Sequence, residues 1–273
     1  MPVRNLIVTC GTSQLGKEKL LNLIHPEEWD RLVDGEIGPM IDRDDDPDDR
    51  FQPGNIAGEF AAFERIKDSL LGKWGELGDL ESLRELNNPF GAELTTMQLM
   101  LGDDDGNMGR KAFDPKLDHL TILSSETEAG VFCAVLLAAV VCDPRGWGMD
   151  PNRIHDRRVP GLKEAVDDPR KVDQAIYAQL LEARKTDAHT HAIVYTGGFK
   201  ATIPALTIAG LVLDMKLYSR FERSPKLRVT DVPVTFDPPL KSYLVQWLEQ
   251  LTGPSEAGPD NFAGRGASVE REA

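Results

Sequence analysis

The sequence predicts an α/β protein built on a doubly wound, mainly parallel sheet with a helical insertion. The first observation is an apolar strand, Val3–Cys10, which lacks polar alternation and is therefore typical of a parallel sheet buried on both faces. The second is the regular exchange of strand-like and helix-like segments after Leu117, which favours right-handed strand–helix–strand units. The third is a set of polar turns that follow three of these strands.

The N-terminal unit is followed by a stretch of different character. A turn at Gly11–Gln14 and a helix from about Gly16 to Leu23 complete that unit. The next stretch carries the acidic run Asp42–Arg50, and its apolar spacing predicts helices at Glu59–Leu86 and Ala92–Leu101. We therefore expect an inserted helical region rather than an independent domain.

The segments after residue 116 complete the predicted sheet. The predicted strands are Leu120–Ser125, Val159–Leu162, His191–Thr196, Met215–Arg220 and one or two within Leu227–Phe236. The predicted helices are Glu126–Val141, Pro169–Arg184, Phe199–Leu213 and Leu240–Leu251. Thr127 or Ser125 is expected to cap the first of them, and Pro204 is tolerated near the first turn of the third. The predicted organisation is a core domain of residues 1–25 and 116–251, an acidic, mostly helical insertion of residues 26–115, and a disordered tail of residues 252–273.

The composition restricts the partners and the compartment. The net charge of −14 weighs against binding a long nucleic acid, because such binding depends on neutralising phosphates, but it permits a small anion in a local pocket. No run of about 18 apolar residues predicts a membrane span, and the N-terminus lacks a signal-peptide pattern, so we expect a cytoplasmic protein. Cys10, Cys133 and Cys142 lack zinc-ligand spacing and are expected to be small buried hydrophobic residues; no metal or cofactor is predicted.

Three turns are candidates for a ligand site because parallel strands end at one edge of a sheet. In Thr196–Lys200, two glycines between a strand and a helix permit close approach of a ligand, and Lys200 adds a positive charge, which is the outline of a phosphate site. An ordinary strand-to-helix turn explains the same pattern about equally well. The turns Gly11–Gln14 and Ser124–Glu128 offer hydroxyls that either contact phosphate or merely cap helices.

The first turn also comes close to a nucleotide-binding P-loop. Gly11, Gly16 and Lys17 fit the spacing of that motif, but Glu18 stands where the motif has the serine or threonine that binds magnesium. A magnesium-dependent ATPase therefore ranks last among the candidate functions of this chain.

Taken together, the strand-turn Val-Thr-Cys-Gly-Thr-Ser, the turn Leu-Ser-Ser-Glu-Thr-x-x-Gly and the segment Thr-Gly-Gly-Phe-Lys-Ala-Thr-Ile-Pro resemble the CARF domain family, the CRISPR-associated Rossmann fold. The strand Lys216–Glu222 is similar to that family as well. The resemblance covers residues 1–25 and 118–236, and it implies a Rossmann-like homodimer that binds cyclic oligoadenylate. Carried over residue by residue, it implies ligand contacts from Gly11, Thr12, Ser13, Thr127, Thr196, Gly197, Gly198 and Lys200.

Only about one helix and a tail follow the last predicted strand, so a fused nuclease domain is not expected. Among stand-alone members, the chain is similar to ring nucleases, which cleave the messenger without metal by attack of a ribose 2′-hydroxyl on its phosphate. That reading assigns catalysis to Lys200, which would stabilise charge, and to Ser13, which would position the ribose or phosphate. The alternative is a non-catalytic sensor that signals to a partner protein.

Overall fold

The computed structural model describes residues 3–42, 60–78, 88–102, 111–161, 169–195, 202–220, 226–230 and 236–252. Within these residues, six strands form one sheet. They are β1 (Arg4–Thr9), β2 (His119–Ser125), β3 (Ile154–Val159), β4 (Thr190–Val194), β5 (Lys216–Arg220) and β6 (Leu227–Thr230).

The strand order identifies the fold class. The order across the sheet is β3-β2-β1-β4-β5-β6, with the first five strands parallel and β6 antiparallel to β5. A central first strand with the chain winding outward on both sides is the arrangement of a doubly wound, Rossmann-like sheet. The predicted fold class is confirmed.

Eight α-helices lie among the described residues. They are α1 (Lys17–Leu20), α2 (Gly38–Asp42), α3 (Ala61–Gly72), α4 (Gly91–Gly102), α5 (Glu128–Cys142), α6 (Pro169–Ala183), α7 (Ile203–Val212) and α8 (Pro238–Thr252). A π-helical segment, Asp30–Ile37, leads directly into α2. The first helical layer contains α3, α4 and α5, whereas α6, α7 and α8 cover the other face of the sheet.

The central strand explains why both layers are needed. All six residues of β1 are buried, with Leu6 and Val8 in the core on one face and Ile7 in the core on the other. The apolar run Leu6–Val8 at the centre of the strand, without polar alternation, is the pattern that predicted burial on both faces.

The described helices of residues 60–102 share the core of the first layer. Phe60 and Phe63 both make edge-to-face contacts with Phe132 of α5, at ring-centroid distances of 5.8 and 5.5 Å. Trp74 packs in the same manner against Phe90 and Trp147. These aromatic contacts join the stretch to α5 and to the chain that leads from α5 to β3, and buried aromatic side chains of this size dominate core energetics.

Three predicted elements differ from the structure. The helix predicted over Glu59–Leu86 ends at Gly72 as α3, and a 3₁₀ turn follows it at Trp74–Gly78. The strand predicted at Val159–Leu162 is wrong, because β3 covers Ile154–Val159 instead. Its sequence, Ile-His-Asp-Arg-Arg-Val, lies half-exposed at the edge of the sheet and has no apolar run to reveal it. The helix predicted from Gly16 to Leu23 is reduced to the single turn of α1, because residues 21–24 continue as turn and bend.

The cysteines behave as small buried side chains. Cys10 and Cys133 are buried and Cys142 is half-buried, and all three are free thiols. Burial raises the pKa of the Cys10 and Cys133 thiols well above its usual range, so both stay neutral. Within the ranges given above, no helix has the length and apolar character that spanning a bilayer requires.

Candidate functional site

The sheet order brings together the ends of the three strands that precede the predicted turns. β1 pairs with β2 on one side and with β4 on the other, and all three strands run in the same direction. The chain therefore leaves their carboxyl ends at a common edge, beside the point where the winding direction reverses. Ligands of open α/β sheets bind at this position.

The turn after β1, residues 10–15, is here called the first loop. Its start is held by the backbone N–H of Cys10, which donates to the carbonyl of Leu123 at 2.7 Å. The next N–H, that of Gly11, donates to Oε1 of Glu93 at 3.1 Å. A 3₁₀ turn, Thr12–Leu15, completes the loop. The buried Gly11 amide is therefore engaged inside the protein, and its predicted contact with ligand stays a prediction.

The residues that follow Gly11 in the first loop differ in exposure. Thr12 is exposed, so its hydroxyl is accessible from solvent. The side chain of Ser13 lies outside the described part of the chain, and its predicted catalytic role is untested. Gln14 is buried, and its Nε2 donates to the carbonyl of Pro89. The loop is thus attached at two points to the segment that begins α4.

The turn after β2, residues 124–130, is here called the second loop. Thr127 precedes α5, and its Oγ1 accepts a hydrogen bond from the N–H of Gly130 at 3.1 Å. The same oxygen lies 2.7 Å from Oγ of Ser125. Thr127 is therefore the N-cap of α5, as predicted for it or Ser125. Its half-buried hydroxyl is engaged in this cap, and its contact with ligand stays a prediction.

The glycine of the second loop allows the helix to start directly on the strand. A Cβ placed on Gly130 would lie 2.1 Å from Oγ of Ser125 and 3.0 Å from the carbonyl oxygen of Ser125. Because no side chain fits in this space, the residue type is fixed by close packing between the end of β2 and the first turn of α5.

The third predicted turn lies outside the described residues. Thr196, Gly197, Gly198 and Lys200 all fall there, so their predicted roles stay predictions. The described chain reaches Tyr195, whose N–H donates to the carbonyl of Tyr218 at 3.0 Å, and resumes at Thr202 before α7. Pro204 stands in the first turn of α7, as predicted.

Glu93 is a charged residue of the site that the sequence did not reveal. It lies in the first turn of α4 and is only 5% exposed. Burial raises the pKa of its carboxyl group, whereas the N–H of Gly11, the backbone amides at the start of α4 and the charge of Lys19 oppose that rise. A glutamate on a predicted helix is usually solvent-exposed, and its partner Gly11 is 82 residues away, so no local pattern pointed to it.

Arg158 is a second residue that sequence reasoning missed. It lies near the carboxyl end of β3, where its Nη1 donates to Oγ of Ser124 at 2.7 Å and its Nη2 pairs with Asp156. Burial raises the pKa of Asp156, and the charge of Arg158 opposes this. Arg158 places a positive charge beside the second loop. It was overlooked because β3 was predicted to begin at Val159, one residue too late to include it.

A cavity lies behind the first loop, between α3, α4 and α5. Cys10, Gly11, Glu93 and Cys133 are among its lining residues, and it offers about 20 Å³ to the centres of water molecules. That space holds roughly one water, whereas pockets for ligands of nucleotide size measure hundreds of Å³. This cavity is therefore too small to hold a nucleotide.

The sheet order and its carboxyl-edge loops define a Rossmann-like α/β protein. Residues 88–228 match the model of a family described as CRISPR-associated protein (Cas_APE2256). The chain belongs to this CRISPR-associated family, which is of the CARF type. No curated protein matches the chain. The family match begins at Asn88, inside the predicted insertion, and it includes α4 with Glu93.

Proposed function

We propose that this protein binds a cyclic oligoadenylate, with cyclic tetra-adenylate as the first candidate, and cleaves it without a metal ion. The observation that carries the proposal is the shared edge at which β1, β2 and β4 end, in a chain of a CRISPR-associated family. The ring binds across the two-fold axis of a homodimer, which matches the symmetry of the ligand.

The reaction requires that the attacking 2′-oxygen, the phosphorus and the leaving 5′-oxygen lie in line, and it consumes no other reagent. A ribose 2′-oxygen attacks the adjacent phosphorus, the bond from phosphorus to the 5′-oxygen breaks, and the proton lost by the 2′-hydroxyl is balanced by one gained at the 5′-oxygen. Linear products ending in a 2′,3′-cyclic phosphate result. Lys200 stabilises the negative charge, Ser13 positions the ribose or phosphate, and the amides of Gly197 and Gly198 hold phosphate oxygens.

Turnover is expected to be slow, because the histidines on the described strands are not placed to act as a general base at the carboxyl edge. His119, His155 and His191 occupy the first two positions of β2, β3 and β4, at the edge opposite the carboxyl ends. Positioned general acid–base catalysis typically contributes about 10²–10⁴-fold in rate, and its absence leaves alignment and charge stabilisation to act alone.

The test is incubation of the full chain with cyclic tetra-adenylate and, separately, cyclic hexa-adenylate, in EDTA, with chromatographic separation of products. Linear di-adenylate or tri-adenylate bearing a cyclic phosphate supports cleavage and identifies the ring size. An intact ring that co-elutes with the protein supports the alternative, a non-catalytic sensor. Intact rings without binding refute the proposal.

Replacing Lys200 tests its assigned role. Lys200→Ala is expected to abolish cleavage and weaken ring binding, because the phosphorane loses its counter-charge. The matched control is Lys185→Ala, which removes an exposed lysine from the turn after α6, where it pairs only locally with Glu182. Full cleavage by the Lys200 variant in the same chromatographic assay removes this residue from the mechanism.

A further inference from the structure

We propose that Glu93 is a positioning residue that holds the first loop in its ligand-binding shape from inside the protein. The inference rests on the proposed function, because it deepens the account of the same edge of the sheet. It begins from the buried hydrogen bond that the Gly11 N–H donates to Oε1 of Glu93 at 3.1 Å. Loss of the acceptor would leave the buried Gly11 N–H without a partner, which costs free energy.

The segment at the start of α4 forms two hydrogen bonds with the first loop. Oε1 of Glu93 binds the Gly11 amide, and the carbonyl of Pro89 accepts from the side chain of Gln14. Between these two anchors stands Gly91, whose φ of +72° favours glycine. A Cβ on Gly91 would lie 2.5 Å from Oε1 of Gln14. The segment from Pro89 to Glu93 therefore fits the first loop closely.

Glu93 contacts the first loop from the interior of the protein. The Gly11 amide donates to Glu93, and both residues line the water-sized cavity between α3, α4 and α5. Thr12, the next residue, is exposed. Glu93 therefore holds the inner side of the loop while the outer side faces the position expected for ligand, and the carboxylate need not contact phosphate.

Burial of a carboxylate at this point is costly and requires compensation. The compensating groups are the Gly11 amide, the amides at the start of α4 and the charge of half-buried Lys19 on α1. Burial lowers the pKa of Lys19, and Glu93 opposes that effect. Because a neutral amide oxygen also accepts a hydrogen bond from Gly11, the positioning role requires the acceptor rather than the charge.

The test compares three variants of the full chain with wild type. Glu93→Met fills the space but removes the acceptor, and Glu93→Gln keeps the acceptor without the charge. The matched control is Thr95→Val: Thr95 is fully buried on the same helix, and its hydroxyl donates to two carbonyls of that helix, those of Gly91 at 2.7 Å and Ala92 at 3.1 Å. Glu93→Ala replaces the methionine variant if that variant does not fold, as judged by its melting curve.

Two measurements are made. Amide hydrogen exchange over residues 10–15 reports the loop without ligand, and titration with cyclic tetra-adenylate and cyclic hexa-adenylate reports binding. Glu93→Met is expected to speed exchange at Gly11 and to weaken ring binding by on the order of tenfold or more. Glu93→Gln and Thr95→Val are expected to behave like wild type in both measurements.

Unchanged exchange at Gly11 in Glu93→Met overturns the proposal, as does ring binding by that variant as tight as that of wild type. A loss of binding in Glu93→Gln equal to that in Glu93→Met also overturns it, because the charge would then be the required feature. If wild type binds neither ring, the proposed function fails, whereas the exchange rates still decide whether Glu93 holds the loop.

Discussion

The first and second loops occupy the same edge of the sheet but are stabilised in opposite ways. The second loop is held mainly by its own residues: Ser125, Thr127 and Gly130 contact one another within six positions of sequence, and Arg158 adds a hydrogen bond to Ser124 at the start of the loop. The first loop is held by Glu93 and Pro89, which lie more than 70 residues away along the chain. Local contacts form with little loss of chain entropy, whereas distant ones require that the whole fold be in place. The second loop should therefore respond to changes in its own sequence, and the first to changes in α4.

The largest effect is expected from Gly130→Ala. The new methyl group would lie 2.1 Å from Oγ of Ser125 and 3.0 Å from its carbonyl oxygen, so the Ser125 side chain must leave its contact with Thr127 or the start of α5 must shift. We expect a loss of about 1–3 kcal/mol in the free energy of unfolding, measured by urea denaturation. The control is Gly72→Ala at the end of α3, where a Cβ meets no atom within 4 Å. Equal stability of the two variants contradicts the close packing described for the second loop.

A smaller effect is expected from removing the cap of α5. Thr127→Ala deletes the oxygen that accepts from the Gly130 N–H, and the typical loss is about 1 kcal/mol in the free energy of unfolding. Thr127→Ser keeps that oxygen and should restore most of the loss in the same urea experiment. If serine is no better than alanine, the cap does not stabilise the loop. Exchange at Gly11 should be unaffected in both variants, because the first loop depends on α4.

The smallest effect concerns the charge on Glu93. Burial raises its pKa in the folded state above the ordinary value of 4.5, so its contribution to stability is full below that value and declines as pH rises through the raised pKa. Glu93→Gln lacks this titration. The variant should therefore gain in melting temperature relative to wild type at about pH 8, and the gain should shrink as pH is lowered toward 4.5. If the difference in melting temperature between the variant and wild type stays constant with pH, the pKa of the Glu93 carboxyl group is not raised by folding.

The same contrast explains what the sequence could predict. β1, β2 and α5 each contain a central apolar run without a solvent-facing polar stripe, and this pattern identified them to within two residues at each end. The cap at Thr127 was also predictable, because a threonine before an apolar helix is a local signal. The position of the loops at one edge followed from the parallel sheet alone.

Contacts between distant segments left no such signal. Glu93 resembles a solvated helix residue in the sequence, and only the folded chain brings it against Gly11. Arg158 was missed for a different reason, because the strand that carries it is charged and half-exposed. The roles assigned to Ser13 and Lys200 rest on family resemblance, and the experiments proposed above are what test them.

The charged strand β3 has a consequence for the behaviour of the protein in a crowded solution. Within the described residues, β3 forms one edge of the sheet, and its backbone groups there have no neighbouring strand on the outer side. An apolar edge invites another chain to add a strand and begin aggregation. His155, Asp156, Arg157 and Arg158 make this edge a poor template for such growth. The charges that conceal the strand in the sequence thus also protect the sheet from association at this edge.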